Sequence, residues 1–170
     1  LILFSDEVEQ YIAPKKGRSH VLRVVRELLY HKPHGKGTSI RTALEFLLNV
    51  ATRRSVVFLL SDFLDEKYWS SLKIANRKHD LIGLKISDPF ESAIPDIGLV
   101  KVHDPETDET SWIDTGSSVD RKQYETAILE QNEKFAKECD RIGFDVIPIS
   151  TEKDFVEPLM NYFKKREKRI

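Results

Sequence analysis

The run Ser55-Val-Val-Phe-Leu-Leu60 constrains this chain more than any other feature. It has the length of one strand, is nearly all apolar, and ends on the polar pair Ser61-Asp62. Such a run predicts a strand buried on both faces, as happens in a parallel sheet covered by helices. Its flanks agree. Ile40, Ala43, Leu44, Leu47, Leu48 and Ala51 recur at helical spacing before it, after a loop loosened by Gly35 and Gly37. Trp69, Leu72 and Ala75 predict a helix from about Glu66 to Lys78, and Leu81 to Ile86 reads as the next strand, followed by an irregular stretch from Ser87 to Pro95. Strands alternating with helices predict an α/β sheet with helices on both faces.

The remaining segments extend this pattern. Leu1 to Phe4 is a short buried-strand run, Ser5-Asp6-Glu7 supplies turn chemistry, and Val8 to Ile12 alternates until Pro14, which predicts a hairpin. Beyond the basic loop Lys15-Lys16-Gly17-Arg18, Ser19 can cap a helix ending near Pro33, with Val21, Leu22, Val25, Leu28 and Leu29 on one face. Gly98 to His103 and Thr110 to Asp114, joined through Pro105, Glu106, Thr107 and Asp108, predict an inserted or edge β-hairpin near 98–114. A long helix from about Ser118 to Ile142, stopped by Gly143, leads to a strand over Phe144 to Ile149 and a last helix over Lys153 to Arg166.

Bulk properties exclude several function classes. With 27 basic and 28 acidic side chains the formal net charge is −1, so no global field draws the chain to nucleic acid or to an anionic membrane. No apolar run approaches the roughly 20 residues that cross a bilayer. A single cysteine, Cys139, forms no intrachain disulfide and no redox pair, which suits a cytoplasmic setting. A hydrophobic content of 40% over 170 residues is enough for the core of one domain, residues 1–170. The chain opens at Leu1 and its one methionine is Met160, so we expect an N-terminally truncated piece whose targeting signal or membrane anchor would lie upstream.

In an open α/β sheet ligands sit beyond the carboxyl ends of the strands. That rule places Asp62 on the rim, with Ser5, Asp6 and Asp88 after their own strands, and Thr38 if its loop folds over the same edge. Hydroxyl and carboxylate oxygens suit Mg²⁺ or Mn²⁺ better than zinc.

Four stretches together resemble a known family: Leu1-Ile-Leu-Phe-Ser-Asp6, Lys15-Lys16-Gly17-Arg18, Gly35-Lys-Gly-Thr-Ser-Ile40 followed by Ala43-Leu44, and Val56-Val-Phe-Leu-Leu-Ser-Asp-Phe-Leu-Asp65. They look like the bacterial domain of unknown function 58 family, whose C-terminal half is similar to von Willebrand factor A domains. The resemblance implies a von Willebrand factor A-like, Rossmann-like, mostly parallel sheet whose first strand is missing from these residues. It also implies a metal-ion-dependent adhesion site made from an Asp-x-Ser-x-Ser motif, a threonine and an aspartate. By motif match Thr38 resembles that threonine and Asp62 that aspartate, while the first motif does not occur in the chain. Mg²⁺ dehydrates reluctantly, so one hydroxyl and one carboxylate are expected to hold it weakly or not at all. Family resemblance further implies protein binding in which an acidic group of the partner completes the metal sphere, and cooperation with a MoxR-type AAA ATPase in assembly or maturation of other proteins. A missing central strand leaves an exposed strand edge, which favours homo-oligomers.

Each residue also has a plainer reading. Asp62 can cap the turn that follows its strand, and Thr38 can cap the Ile40 helix. Asp65 is expected to cap or solvate the helix near Glu66, and Asp88, before Pro89, to serve a turn. His31 and His34 are spaced to chelate zinc, but they straddle Pro33 with no cysteine or third histidine nearby, so a solvated helix end is expected. Lys15, Lys16 and Arg18, without interleaved aromatics, read as a solvated loop, and the basic run from Lys164 to Arg169 as a frayed tail. Trp69, Tyr68 and Phe63 read as core or rim packing that also offers a partner's apolar anchor a place to dock. Two other function classes stand beside the binding module. One is a Mg²⁺-dependent phosphohydrolase using Asp62, which would normally need a lysine or arginine and a general acid on neighbouring strand ends. Lys85 lies inside a strand and His79 precedes one, and no nucleophile elbow, Walker loop or dinucleotide glycine pattern occurs. The other is a metal-free structural or oligomerisation domain acting through the 98–114 hairpin.

Overall fold

The computed structural model describes residues 1–65, 67–92, 95–103 and 110–168. In chain order the elements are β1 (Ile2–Phe4), β2 (Val8–Tyr11), α1 (Arg18–Tyr30), α2 (Ile40–Val50), β3 (Val56–Ser61), α3 (Trp69–Lys78), β4 (Asp80–Ser87), the single turn α4 (Pro89–Ser92), β5 (Leu99–His103), β6 (Thr110–Asp114), α5 (Ser118–Ile142), β7 (Asp145–Ser150) and α6 (Val156–Glu167). The parallel sheet has three strands in the order β3-β4-β7, with Val57 opposite Leu81 and Leu84 opposite Ile147. Helices flank it. The β1–β2 and β5–β6 pairs are separate antiparallel hairpins, so the Leu1–Phe4 run is half-buried and lies outside the parallel sheet. The turn expected through Pro105 to Asp108 and the helix start expected at Glu66 lie outside the described residues; α3 begins at Trp69.

Local chemistry explains most of the boundaries. Ser117 caps α5 by accepting the Asp120 N–H, and Gly143 ends that helix at φ 64°, the left-handed geometry that glycine adopts without penalty. Ser39, and not Thr38, caps α2, its hydroxyl accepting the Thr42 N–H. Helix α1 starts one residue before Ser19, after Gly17 at φ 106°, and has no side-chain cap. Glycine is required once more at Gly83 in β4, where a Cβ would stand 2.7 Å from the Phe144 ring.

The core lies between the α2–α3 pair, the inner side of β3 and β4, and the end of α5. Ile40, Leu44, Leu59, Phe63, Tyr68, Leu72, Leu81, Cys139 and Phe144 form one buried cluster. Two expectations fail here. Strand β3 is fully covered on one side only: Leu59 is buried, while on the other side Val56 is 60% exposed, Leu60 is exposed, and Phe58 is covered only in part, by the Phe163 ring of α6 at 6.4 Å. The α1 stripe of Val21, Leu22, Val25, Leu28 and Leu29 is also exposed, and no residue of that helix is buried. An apolar run reports that a face can be buried; a second surface must still arrive to cover it. The basic C-terminal run departs from expectation as well. Arg166 donates to Asp80 Oδ1 at 2.6 Å and to the Tyr162 hydroxyl at 2.9 Å, tying α6 to β4, while Arg169 lies outside the described residues.

Candidate functional site

Asp62 follows the last residue of β3, which places it at the carboxyl edge of the sheet. Its Oδ1 accepts the Leu64 N–H at 3.2 Å and the Ser61 hydroxyl at 3.3 Å, so it does close the turn. The same carboxylate also lines a cleft of about 120 Å³ beyond the ends of β3 and β4, together with Lys85, Ser87, Glu91, Tyr124 and Asn132. Phe63 makes the cleft's edge abrupt. It sits at φ 62°, a left-handed conformation that costs a bulky residue about 1–3 kcal/mol, and its ring is buried against Tyr68, Phe135 and Phe144. Burial of the ring holds the turn in that shape and leaves Asp62 facing out.

Lys85 is the residue that strand position alone misjudges. It pairs with Ser61 across the β3–β4 ladder, and its side chain reaches the same cleft as Asp62. Its Nζ donates to Asn132 Oδ1 at 2.5 Å and lies 4.7 Å from the centre of the Phe135 ring. Burial lowers its pKa, against the opposing pull of Cys139, Glu91 and Asp62. A lysine inside a strand still projects beyond its edge when it stands near the strand's end; its partner Ser61, beside Asp62, was the available signal.

The N-terminus of α2 comes to this edge through Asp65. Its Oδ2 accepts the Ile40 N–H at 2.9 Å and its Oδ1 accepts the Lys67 N–H at 3.1 Å, so it clamps two segments instead of serving only the helix that follows. Thr38, exposed, precedes the Ser39 cap in this clamped segment. Ser5 and Asp6 meet it from the other side. Ser39 N–H donates to the Ser5 carbonyl at 2.8 Å, and the backbone at Gly35 approaches so closely that a Cβ there would stand 2.0 Å from Asp6 Oδ1. Asp88 stays in a turn, its Oδ1 accepting the Phe90 N–H and its Oδ2 the Thr151 hydroxyl, both at 2.9 Å.

The other candidates divide. Tyr68 is buried, Trp69 is half-buried and stacks on it with 4.9 Å between ring centres, and both therefore pack the core. Cys139 is buried, and burial pushes its thiol up to about 11, which removes it as a nucleophile near neutral pH. Lys15 and Lys16 are exposed, as a solvated loop would be, while Arg18, also exposed, opens α1. The histidines correct the sequence reading: His31 is not simply a solvated helix end, because Glu9 of β2, 22 residues before it and 25 before His34, meets both. Nothing in the local pattern around Pro33 announces that carboxylate.

Comparison with known proteins adds a family and no activity. The chain is 24% identical over 137 residues to the uncharacterised protein MAV169 of Mycobacterium avium, covering 80% of each. It is 20% identical over 160 residues to the uncharacterised proteins Mb1516 of Mycobacterium bovis and Rv1480 of Mycobacterium tuberculosis, covering 92% of this chain and 50% of each relative. The chain thus spans about half the length of those two relatives. No solved structure matches it significantly. The profile described as "Protein of unknown function DUF58" matches residues 1–134, and the chain belongs to that family.

Proposed function

We propose that this chain is a metal-assisted protein-interaction module of the von Willebrand factor A type, with Thr38 and Asp62 contributing oxygens to a Mg²⁺ or Mn²⁺ site. One observation supports this above others: the bond from Ile40 N–H to Asp65 draws the Thr38 segment to the loop that carries Asp62. The donor set is hard and fits such an ion, but two protein oxygens leave most of the sphere to water, so binding by these residues alone is weak. The family resemblance assigns the remaining ligands to an Asp-x-Ser-x-Ser motif that these 170 residues do not contain. When bound, the ion would offer an open position to a carboxylate of the partner. A MoxR-type AAA ATPase is the partner class the resemblance favours, with assembly or maturation of other proteins as the outcome and the cytoplasm as the setting.

A second reading rests on Lys85. Its presence beside Asp62 in one cleft supplies a cation that a Mg²⁺-dependent phosphohydrolase would use to neutralise developing charge on a phosphoryl group. Calorimetric titration of Mg²⁺ and Mn²⁺ into the full-length protein and its Asp62→Ala variant, with a phosphatase assay alongside, separates the two. Metal binding that weakens at least about 10-fold in the variant without turnover supports the module. Turnover lost in Asp62→Ala promotes the enzyme, and absence of metal binding by the full-length protein removes the adhesion site.

A further inference from the structure

We propose a second metal site, distinct from the Asp62 rim, in which Glu9, His31 and His34 bind a transition-metal ion of the Zn²⁺ class. The three side chains come from β2 and from the segment that ends α1, and their ligand atoms all lie within 4.8 Å of one another. Two imidazoles and one carboxylate are the donor types of a three-ligand zinc site that keeps a fourth position open. Hard Mg²⁺ would not select this set, which keeps the two sites chemically separate.

The carboxylate is built for the role. Its side chain is only 2% exposed, while that of His31 is 18% exposed. Glu9 Oε1 accepts the backbone N–H groups of His34 and Gly35, both at 3.1 Å, and this leaves Oε2 directed at His31 Nε2, 2.5 Å away. One oxygen is thus anchored by the same loop that carries a ligand, while the other faces the imidazole. That is the outer-shell support that orients metal ligands in established sites. Glu9 and His31 must separate to roughly 3.3 Å for tetrahedral coordination at ordinary zinc bond lengths. His34 closes the set: it is exposed, and its ring lies 6.3 Å centre to centre from the His31 ring. Metal bound here would clip the first hairpin to the C-terminal end of α1.

Co²⁺ is the probe, because tetrahedral coordination gives intense visible ligand-field bands and octahedral coordination gives weak ones. Titrating Co²⁺ into the chain should produce those bands at one equivalent, and Zn²⁺ should abolish them. His34→Ala keeps the backbone N–H that holds Glu9 and removes only an exposed ring; Zn²⁺ affinity should fall at least about 10-fold in it. Glu9→Gln keeps an acceptor for the two N–H groups and should show a comparable loss, so the test survives if one variant fails to fold by circular dichroism. Asp62→Ala should bind Zn²⁺ like the parent, so failure here is distinguishable from failure of the Mg²⁺ reading. Weak octahedral bands, absent stoichiometric binding, or affinity unchanged in the folded variants would overturn the proposal.

Discussion

Helices α1 and α2 carry apolar stripes of the same kind and meet opposite fates. In α2, Ile40, Ala43, Leu44 and Leu47 are all buried, the first of them completely, against α3 and the first hairpin. In α1, Val21, Leu22, Val25, Leu28 and Leu29 hold equivalent helical spacing and stay in contact with solvent, Leu29 at 73%. The sheet repeats the contrast within one strand, since Leu59 of β3 is buried while its neighbours Phe58 and Leu60 are exposed. Periodicity therefore tells which side of an element is apolar, whereas burial needs a partner surface.

The largest effect expected from this contrast is in truncation. Leu44→Ala should lower the unfolding free energy by about 2–5 kcal/mol, the range for a fully enclosed leucine. Leu28→Ala, made in a side chain already more than half exposed, should change it by about 0.5 kcal/mol or less. Equal losses in denaturant titrations would break the comparison. A smaller difference is expected at the helix starts. Ser39→Ala removes the α2 cap and should cost about 1 kcal/mol, while Ser19→Ala should be close to neutral because α1 uses no side-chain cap.

The covered side also carries a buried titratable group. His79, at the end of α3, is 1% exposed, and neither ring nitrogen has a hydrogen-bond partner among the described residues. Burial, with help from Lys78, lowers its pKa below the ordinary value of 6.5. The unfolded chain then takes up the proton first. Its contribution to stability is complete above about pH 6.5 and is lost as pH falls through the lower folded value. Denaturant midpoints should decline from pH 7 to pH 5, with a shallower decline in His79→Gln; identical slopes would remove His79 as the cause.

Much of the secondary structure was legible. The limits of α5, set by Ser117 and Gly143, follow from capping chemistry, and the two hairpins follow from turn residues between short strand-forming runs. At the candidate site, the positions of Asp62 and Asp88 after their strands were legible for the same reason. Three features were not. Lys85 looked confined to a strand, yet it reaches the Asp62 cleft; Asp65 looked local, yet it bonds α2; His31 and His34 looked short of a ligand, yet Glu9 supplies one. Each depends on residues more than 20 positions apart, and no local spacing encodes that approach.

Sequence alone determined the menu of elements, the apolar side of each, and the oxygen-rich chemistry at the end of β3, because dihedral preference, capping and side-chain period are properties of neighbouring residues. Tertiary structure alone decided which apolar sides were covered and which polar groups converged. Those outcomes depend on how elements stack, and a buried carboxylate such as Glu9 is tolerated only where the arriving loop brings the donors that satisfy it.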